Sequence, residues 1–237
     1  MKTALVTGAS RGIGRAIANE LLNRGYYVIS IARNFDNDTK TMQNQKCISL
    51  DLMKNSAIDE LKAQIKDYDI NTIIHNLGGK INEDNQPLTS QALKNSIHFN
   101  LGIAVDINSL LIPKMQNYVM GGGSVVFISS DSAKNGRAAP AYVASKAALN
   151  AYMKSCARYY AKDNIVFFSV LPGIVYFKNS AWDKKKQTDP NTFNQKLQNS
   201  IFKEFATPNH IANFVLSMLN SNNKFINGGE FIINGGE

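Results

Sequence analysis

The sequence predicts an α/β protein with a doubly wound parallel sheet of about seven strands and helices on both faces. Two observations carry this. Short apolar runs alternate with longer amphipathic ones along all 237 residues, which implies right-handed βαβ units. The residues that suggest chemistry also cluster where predicted strands end, the place where ligands bind in such sheets.

Taken in order, residues 4–6 form a buried strand and 15–24 a helix. Ile13, Ile17 and Leu21 fall on one face of that helix, and Gly25 is set to end it. Strands follow at 27–31 and 47–50, a helix at 56–68 and a fourth strand at 72–75. A long helix at 93–115 is expected to end near Pro113, and Gly121-Gly122-Gly123 reads as a turn before a strand at 124–129. A long helix at 141–161, a strand at 165–171, a helix at 208–219 and a last strand at 230–233 complete the pattern. No linker divides it, so residues 1–237 read as one domain. Asn-Gly-Gly-Glu occurs at 227–230 and again at 234–237, which is turn chemistry without a longer repeat.

Composition narrows the function. Cys47 and Cys156 lie far apart and lack metal-ligand spacing, so no metal is implied and a reduced, cytoplasmic setting is expected. No targeting segment or membrane-length apolar run is visible. The net charge of +8 comes from scattered basic residues, with one short run at Lys184-Lys185-Lys186. No basic stripe interleaved with aromatics is present, so no nucleic-acid partner is expected. The positive bias suits anionic ligands instead.

The first strand runs into Thr7-Gly8-Ala9-Ser10-Arg11-Gly12-Ile13-Gly14 and then a helix. Glycines let backbone turn tightly against a pyrophosphate, and a helix N-terminus offers it free N–H groups. The spacing, three residues and then one between glycines, resembles the short-chain dehydrogenase/reductase family. The resemblance spans nearly the whole chain and implies a single Rossmann-type domain. It implies cofactor contacts from Gly8, Ser10, Arg11, Gly12, Ile13 and Gly14. Asp51-Leu52 resembles the family's adenine-contacting position. His75-Asn76-Leu77-Gly78 resembles its Asn-Asn-Ala-Gly, with His75 and Leu77 replacing Asn and Ala. Asn76 and Gly78 are therefore cofactor candidates, as are Pro172, Gly173 and Val175, which border the nicotinamide. The family often has a threonine shortly after its Pro-Gly pair; this chain has Val175-Tyr176-Phe177.

An NAD-preferring fold ends its second strand on a carboxylate that would repel a 2′-phosphate. Here that position is Ala32, followed by Arg33, and Arg11 adds a second cation. NADP(H) is therefore the expected cofactor, while Asp36 and Asp38 just beyond keep NAD(H) open.

Tyr142 and Lys146 sit four apart near the start of a helix, on one face. A nearby ammonium is expected to lower the phenol's ordinary value of ~10. By resemblance they are the proton donor and the lysine that holds the nicotinamide ribose, making both of them cofactor contacts too. Ser130 would polarise the substrate carbonyl, with Ser129 and Ser132 as alternatives. Asn100, a poor mid-helix residue, would support a proton relay. The implied reaction is reduction of a carbonyl to a hydroxyl.

The segment at about 174–207 corresponds to the family's variable substrate lid. Its aromatics, Tyr176, Phe177, Trp182, Phe193 and Phe202, either line a pocket or pack beneath the lid. The substrate is a small-molecule or carrier-bound carbonyl: a 3-oxoacyl thioester, or a sugar or other small ketone. A non-catalytic NADPH-binding regulator is the rival from another class. The resemblance also implies a homotetramer or homodimer, with the Asn100 and Tyr142 helices at the interface.

Overall fold

Strands apolar on both sides need cover on both sides. Ala4, Leu5 and Val6 have no exposed surface; Leu5 joins one core cluster, and Ala4 and Val6 join the other. Phe127 and Phe167 likewise face one layer, and Val126 and Phe168 the opposite one. The structure is a computed structural model that describes residues 1–40, 42–116, 122–220 and 223–236, apart from the side chains at 38 and 40. Gly121, Glu237 and the side chain of Asp38 lie outside the described residues.

Among the described residues the sheet has seven strands: β1 (Thr3–Thr7), β2 (Tyr27–Ala32), β3 (Gln45–Ser49), β4 (Ile70–His75), β5 (Gly123–Ile128), β6 (Ile165–Pro172) and β7 (Glu230–Ile233). All pairings are parallel, in the order β3-β2-β1-β4-β5-β6-β7. The helices are α1 (Gly12–Asn23), α2 (Asn37–Lys40), α3 (Ala57–Gln64), α4 (Ser90–Ile97), α5 (Ile103–Gln116), α6 (Ser132–Asn135), α7 (Pro140–Tyr159), α8 (Ala181–Thr188), α9 (Pro190–Asn199) and α10 (Pro208–Asn220). Buried residues of α1 and α10 fill one layer, and those of α3, α5 and α7 the other. The chain winds outward from β1 to β3 and then returns to β4 beside β1. The switch point above β1 and β4 is where such sheets hold ligands.

Several boundaries differ from the sequence-based expectations. The helix α1 begins at Gly12, because Arg15 already donates its N–H to Arg11 O (3.3 Å) inside the glycine loop. The helix expected at 93–115 starts earlier, at Ser90, where the Thr89 hydroxyl accepts from Ala92 N (3.1 Å). It then passes through a π-turn at His98–Gly102 and runs on to Gln116. Pro113 does not end it: the helix continues through the proline, giving up only the one bond that an N–H at 113 would have donated to Ser109 O. In the lid, α8 and α9 are capped by Ser180, which accepts from Asp183 N (3.0 Å), and Asp189, which accepts from Thr192 N (3.1 Å). The helix α3 stops at Gln64, before the expected 68, and Tyr68 instead stacks on Tyr27 with ring centroids 5.4 Å apart.

At the end of β4, buried His75 stacks on Phe127 (4.9 Å) and pairs through Nε2 with Asn108 Oδ1 (2.8 Å). Asn108 Nδ2 in turn donates to the Tyr152 hydroxyl (3.2 Å). Burial favours the neutral ring and holds His75 down at about 4, against an ordinary 6.5. The unfolded chain therefore takes up a proton that the folded protein refuses, and stability falls as pH drops through that window. We expect a loss of up to about 3 kcal/mol from this group. Urea unfolding across the window should show it in the wild type, and His75→Gln should flatten it. An unchanged slope in the variant would exclude His75 as the source.

Candidate active site

The ends of β1 and β4 are stitched together first. The Thr7 hydroxyl accepts the N–H groups of Asn76 and Leu77, both at 3.0 Å. Asn76 Nδ2 donates to Thr7 O (3.0 Å) and Gly8 O (3.2 Å). Gly8 and Gly12 have φ of +66° and +57°, the left-handed region that favours glycine. The first turn of α1 holds no acid, and Arg11 at its N-cap forms no side-chain cap. Its leading N–H groups are left for an anion.

A cleft of about 490 Å³ opens over these strand ends. Of the residues singled out from sequence, Gly8, Ser10, Arg11, Ile13, Arg33, Asp51, Leu52, Asn76, Gly78, Ser130, Tyr142, Lys146, Pro172, Gly173 and Val175 all line it. Gly12, Gly14 and Asn100 do not. Gly12 lies beneath the Phe177 ring, whose nearest atom is 2.4 Å from where a Cβ would sit. Gly14 lies against Asn76 and Gly8, and Asn100 sits behind Gly78.

At the β2 end of the cleft, Ala32 and Arg33 are on the wall. Asp36 is engaged elsewhere: the Thr39 N–H (2.8 Å) and hydroxyl both donate to it. These bonds hold its carboxyl below the usual range, helped by the Arg15 guanidinium. Arg11 Nη1 reaches across to the lid and donates to Asn179 O (2.6 Å).

At the other end, Lys146 is 3% exposed and donates from Nζ to Ile128 O (2.9 Å). Burial pushes it down to about 8. Its Nζ is 5.9 Å from the centre of the Tyr142 ring. The expectation that this ammonium lowers the phenol is not met in the free protein. Burial raises Tyr142 above its ordinary value, opposed by a hydrogen bond from Ser130, and Asp131 raises it further. Ser130 Oγ also accepts from Ser132 N (3.2 Å), while Ser129 Oγ donates to Lys146 O (3.4 Å). Asn100 sits in the π-turn, a feature frequent at functional sites. Its Oδ1 accepts from Gly79 N (2.8 Å), and its Nδ2 donates to Gly79 O (3.1 Å) and Ser96 O (3.0 Å). A Cβ on Gly78 would lie 2.7 Å from Asn100 Oδ1 and 2.9 Å from Lys146 Nζ.

The residues fit a nicotinamide dinucleotide: glycine-only backbone at the pyrophosphate position, an uncapped helix N-terminus, arginine at one end and the Tyr142–Lys146 pair at the other. The lid aromatics divide. Phe193 and Phe205 are buried and pack on each other (5.3 Å), while Phe177 and Trp182 join the cleft wall and Phe202 is exposed. The sequence names all of these except Phe205, without saying which face the cleft. It gives no signal for Asp84, whose carboxylate meets the start of α7 from a distant loop. Among the described residues, no His/Cys/Asp/Glu cluster could hold a metal, and no helix is long and apolar enough to cross a membrane.

A family model described as short chain dehydrogenase matches residues 2–189. A 3-oxoacyl-(acyl-carrier-protein) reductase from Staphylococcus aureus is 30% identical over 250 residues, covering 99% of this chain and 97% of that protein. An L-xylulose reductase from Caenorhabditis elegans is 28% identical over 242 residues, covering 99% and 95%. A solved 3-oxoacyl-(acyl-carrier-protein) reductase from Agrobacterium tumefaciens, with NADP bound, has a TM-score of 0.87 at 28% identity, covering 100% of this chain and 94% of that one.

A methyl group at residue 14 would sit 2.4 Å from Asn76 Nδ2 and 2.5 Å from Gly8 O, so α1 would have to move off the loop. Gly14→Ala should weaken dinucleotide binding at least about tenfold, or about 1.4 kcal/mol. Fluorescence titration with NADPH measures this, and wild-type affinity in the variant would refute the packing argument.

Proposed function

The chain belongs to the short chain dehydrogenase family, and on that premise we propose that it is a cytoplasmic, NADPH-dependent reductase that converts a carbonyl to a hydroxyl. The observation that carries this reading is the half-buried Tyr142 phenol beside Ser130 and one helical turn from buried Lys146, at the end of a cleft whose other end carries Arg33. When bound, the reduced nicotinamide supplies the hydride. The remaining work falls to the chain. Ser130 donates to the carbonyl oxygen and polarises it. Tyr142, kept protonated by its desolvated setting, gives its proton to the developing alkoxide. Lys146 would hold the nicotinamide ribose, and Asn100 would sustain proton supply to Lys146 from behind Gly78.

The cofactor reading rests on Ala32 and Arg33 at the cleft wall, on Arg11 lining the same cleft, and on Asp36 being occupied by Thr39. The substrate reading rests on charge distribution. Beside the charged Arg11, Arg33 and Asp51, the wall carries the apolar Phe99, Val175, Ala181 and Trp182. A neutral carbonyl with an apolar chain suits this wall, as in a 3-oxoacyl thioester, and the +8 charge suits an acidic carrier. The hydroxyls of Ser129, Ser130 and Ser180 on the same wall favour a second reading, a keto-sugar. The whole chain would act as one domain, and the apolar Ile232 on edge strand β7, half exposed at 50%, supports assembly into a homotetramer or homodimer.

NADPH oxidation should be followed with 3-oxoacyl thioesters, keto-sugars and simple ketones. Tyr142→Phe should lower kcat at least ~10²-fold while leaving NADPH affinity nearly intact. A fully active variant would remove Tyr142 from the chemistry, and a wild type inert towards every carbonyl would favour the regulator. Separately, Ala32→Asp should shift the ratio of NADPH to NADH affinity at least about tenfold towards NADH, through repulsion of the 2′-phosphate. An unmoved ratio would overturn the cofactor assignment.

A further inference from the structure

Helix α7, which carries the catalytic pair, lacks a cap of its own. Pro140 at its first position has no N–H, Ala139 before it has no side-chain acceptor, and the first turn holds no acid. The N–H groups of Ala141 and Tyr142 would be left without intrahelical partners where Ala141 is fully buried. Both are taken by one carboxylate from outside the helix. Asp84, 1% exposed, accepts from Ala141 N through Oδ1 (3.1 Å) and from Tyr142 N through Oδ2 (2.9 Å).

Asp84 belongs to the connection between β4 and α4, the same connection that forms the cleft at its start. Leu77 and Gly78 line the cleft, Gly79 is paired on both its N–H and its C=O with Asn100, and Gly78 abuts Lys146 Nζ. The short stretch 79–84 therefore joins the cofactor wall to the backbone of the tyrosine. We propose that Asp84 is the positioning residue of the active site: it hangs the Tyr142 backbone from the Leu77–Gly79 wall, so that a dinucleotide seated on that wall also sets the phenol. Asp84 is not on the cleft wall and touches no reactant. This rests on the reductase reading.

The test is Asp84→Asn in the full-length protein, which turns one acceptor into a donor facing an N–H group. The expected result is a kcat at least tenfold lower, with NADPH affinity and carbonyl KM within twofold of wild type. A lower melting temperature with wild-type kcat would overturn the proposal, as would parallel loss of kcat and NADPH affinity. If that variant does not fold, Ala139→Ser added to it supplies a local N-cap. Stability should then return while kcat stays depressed, and recovery of kcat would overturn the proposal. Amide exchange gives a readout free of turnover. NADPH should slow exchange at Ala141 and Tyr142 in the wild type and not in Asp84→Asn; equal slowing in both sinks the idea. A wild type inert on every carbonyl fails the reductase reading, whereas an active wild type with an equally active Asp84→Asn fails only this proposal.

Discussion

The rest of the site is arranged around an ammonium group held out of water. Lys146 Nζ is buried, and its hydrogen bond to the carbonyl of Ile128, the last residue of β5, keeps it from being stranded. An unpaired buried charge is expensive, so this bond ties α7 to the strand end. Tyr142, one turn earlier on the same face, is thereby brought over the cleft. The constraint extends to β4: Gly78 fits between Asn100 and Lys146 because it has no side chain. A hydrogen-bond chain closes the far side. Asn100 donates to Ser96 O, Ser96 Oγ contacts Ser145 Oγ (3.3 Å), and Ser145 Oγ donates to Tyr142 O (2.9 Å). Helix α4 and helix α7 are thus coupled through hydroxyls beneath Tyr142 and Lys146.

A second clamp holds the outer end of the sheet. Glu230, which opens β7, meets Lys154 on α7 (2.7 Å) and Lys134 on α6. Its carboxylate is mostly buried, and the two ammonium groups hold it below the usual range against the opposing effect of burial. Strand β7, helix α7 and the short helix after Ser130 are joined at one carboxylate. Serine and tyrosine therefore ride on elements that share a charged anchor.

What could be read from the sequence follows from which physical signals are local. Strand and helix order, the glycine loop, and the Tyr142–Lys146 spacing are periodic or contiguous, and all of them recur in the fold. Ala32-Arg33 was equally legible, because the end of β2 is marked by the apolar run before it. The capped starts of α8 and α9 were also written in the chain, as Ser180 three residues before Asp183 and as Asp189-Pro190. Other features depend on distance in space alone. Asp84 lies 57 residues from Ala141, and no local pattern links a loop acid to a remote helix. Phe177 covers Gly12 only because the lid folds back over the glycine loop. The π-turn at His98–Gly102 carries Asn100, which bonds Gly79 across the chain, a contact that helical spacing does not encode.

The phenol shows the same division between neighbourhood and environment. Spacing reveals that an ammonium lies one turn from Tyr142, and Coulomb attraction alone would make the phenol more acidic. Desolvation acts on both groups at once and in opposite directions, raising the phenol and lowering the ammonium to about 8. As pH rises in the free protein, Lys146 therefore gives up its proton before Tyr142 does. The same burial that overturns the simple electrostatic expectation thus keeps the phenol protonated in the free protein, which suits the donor role proposed for it.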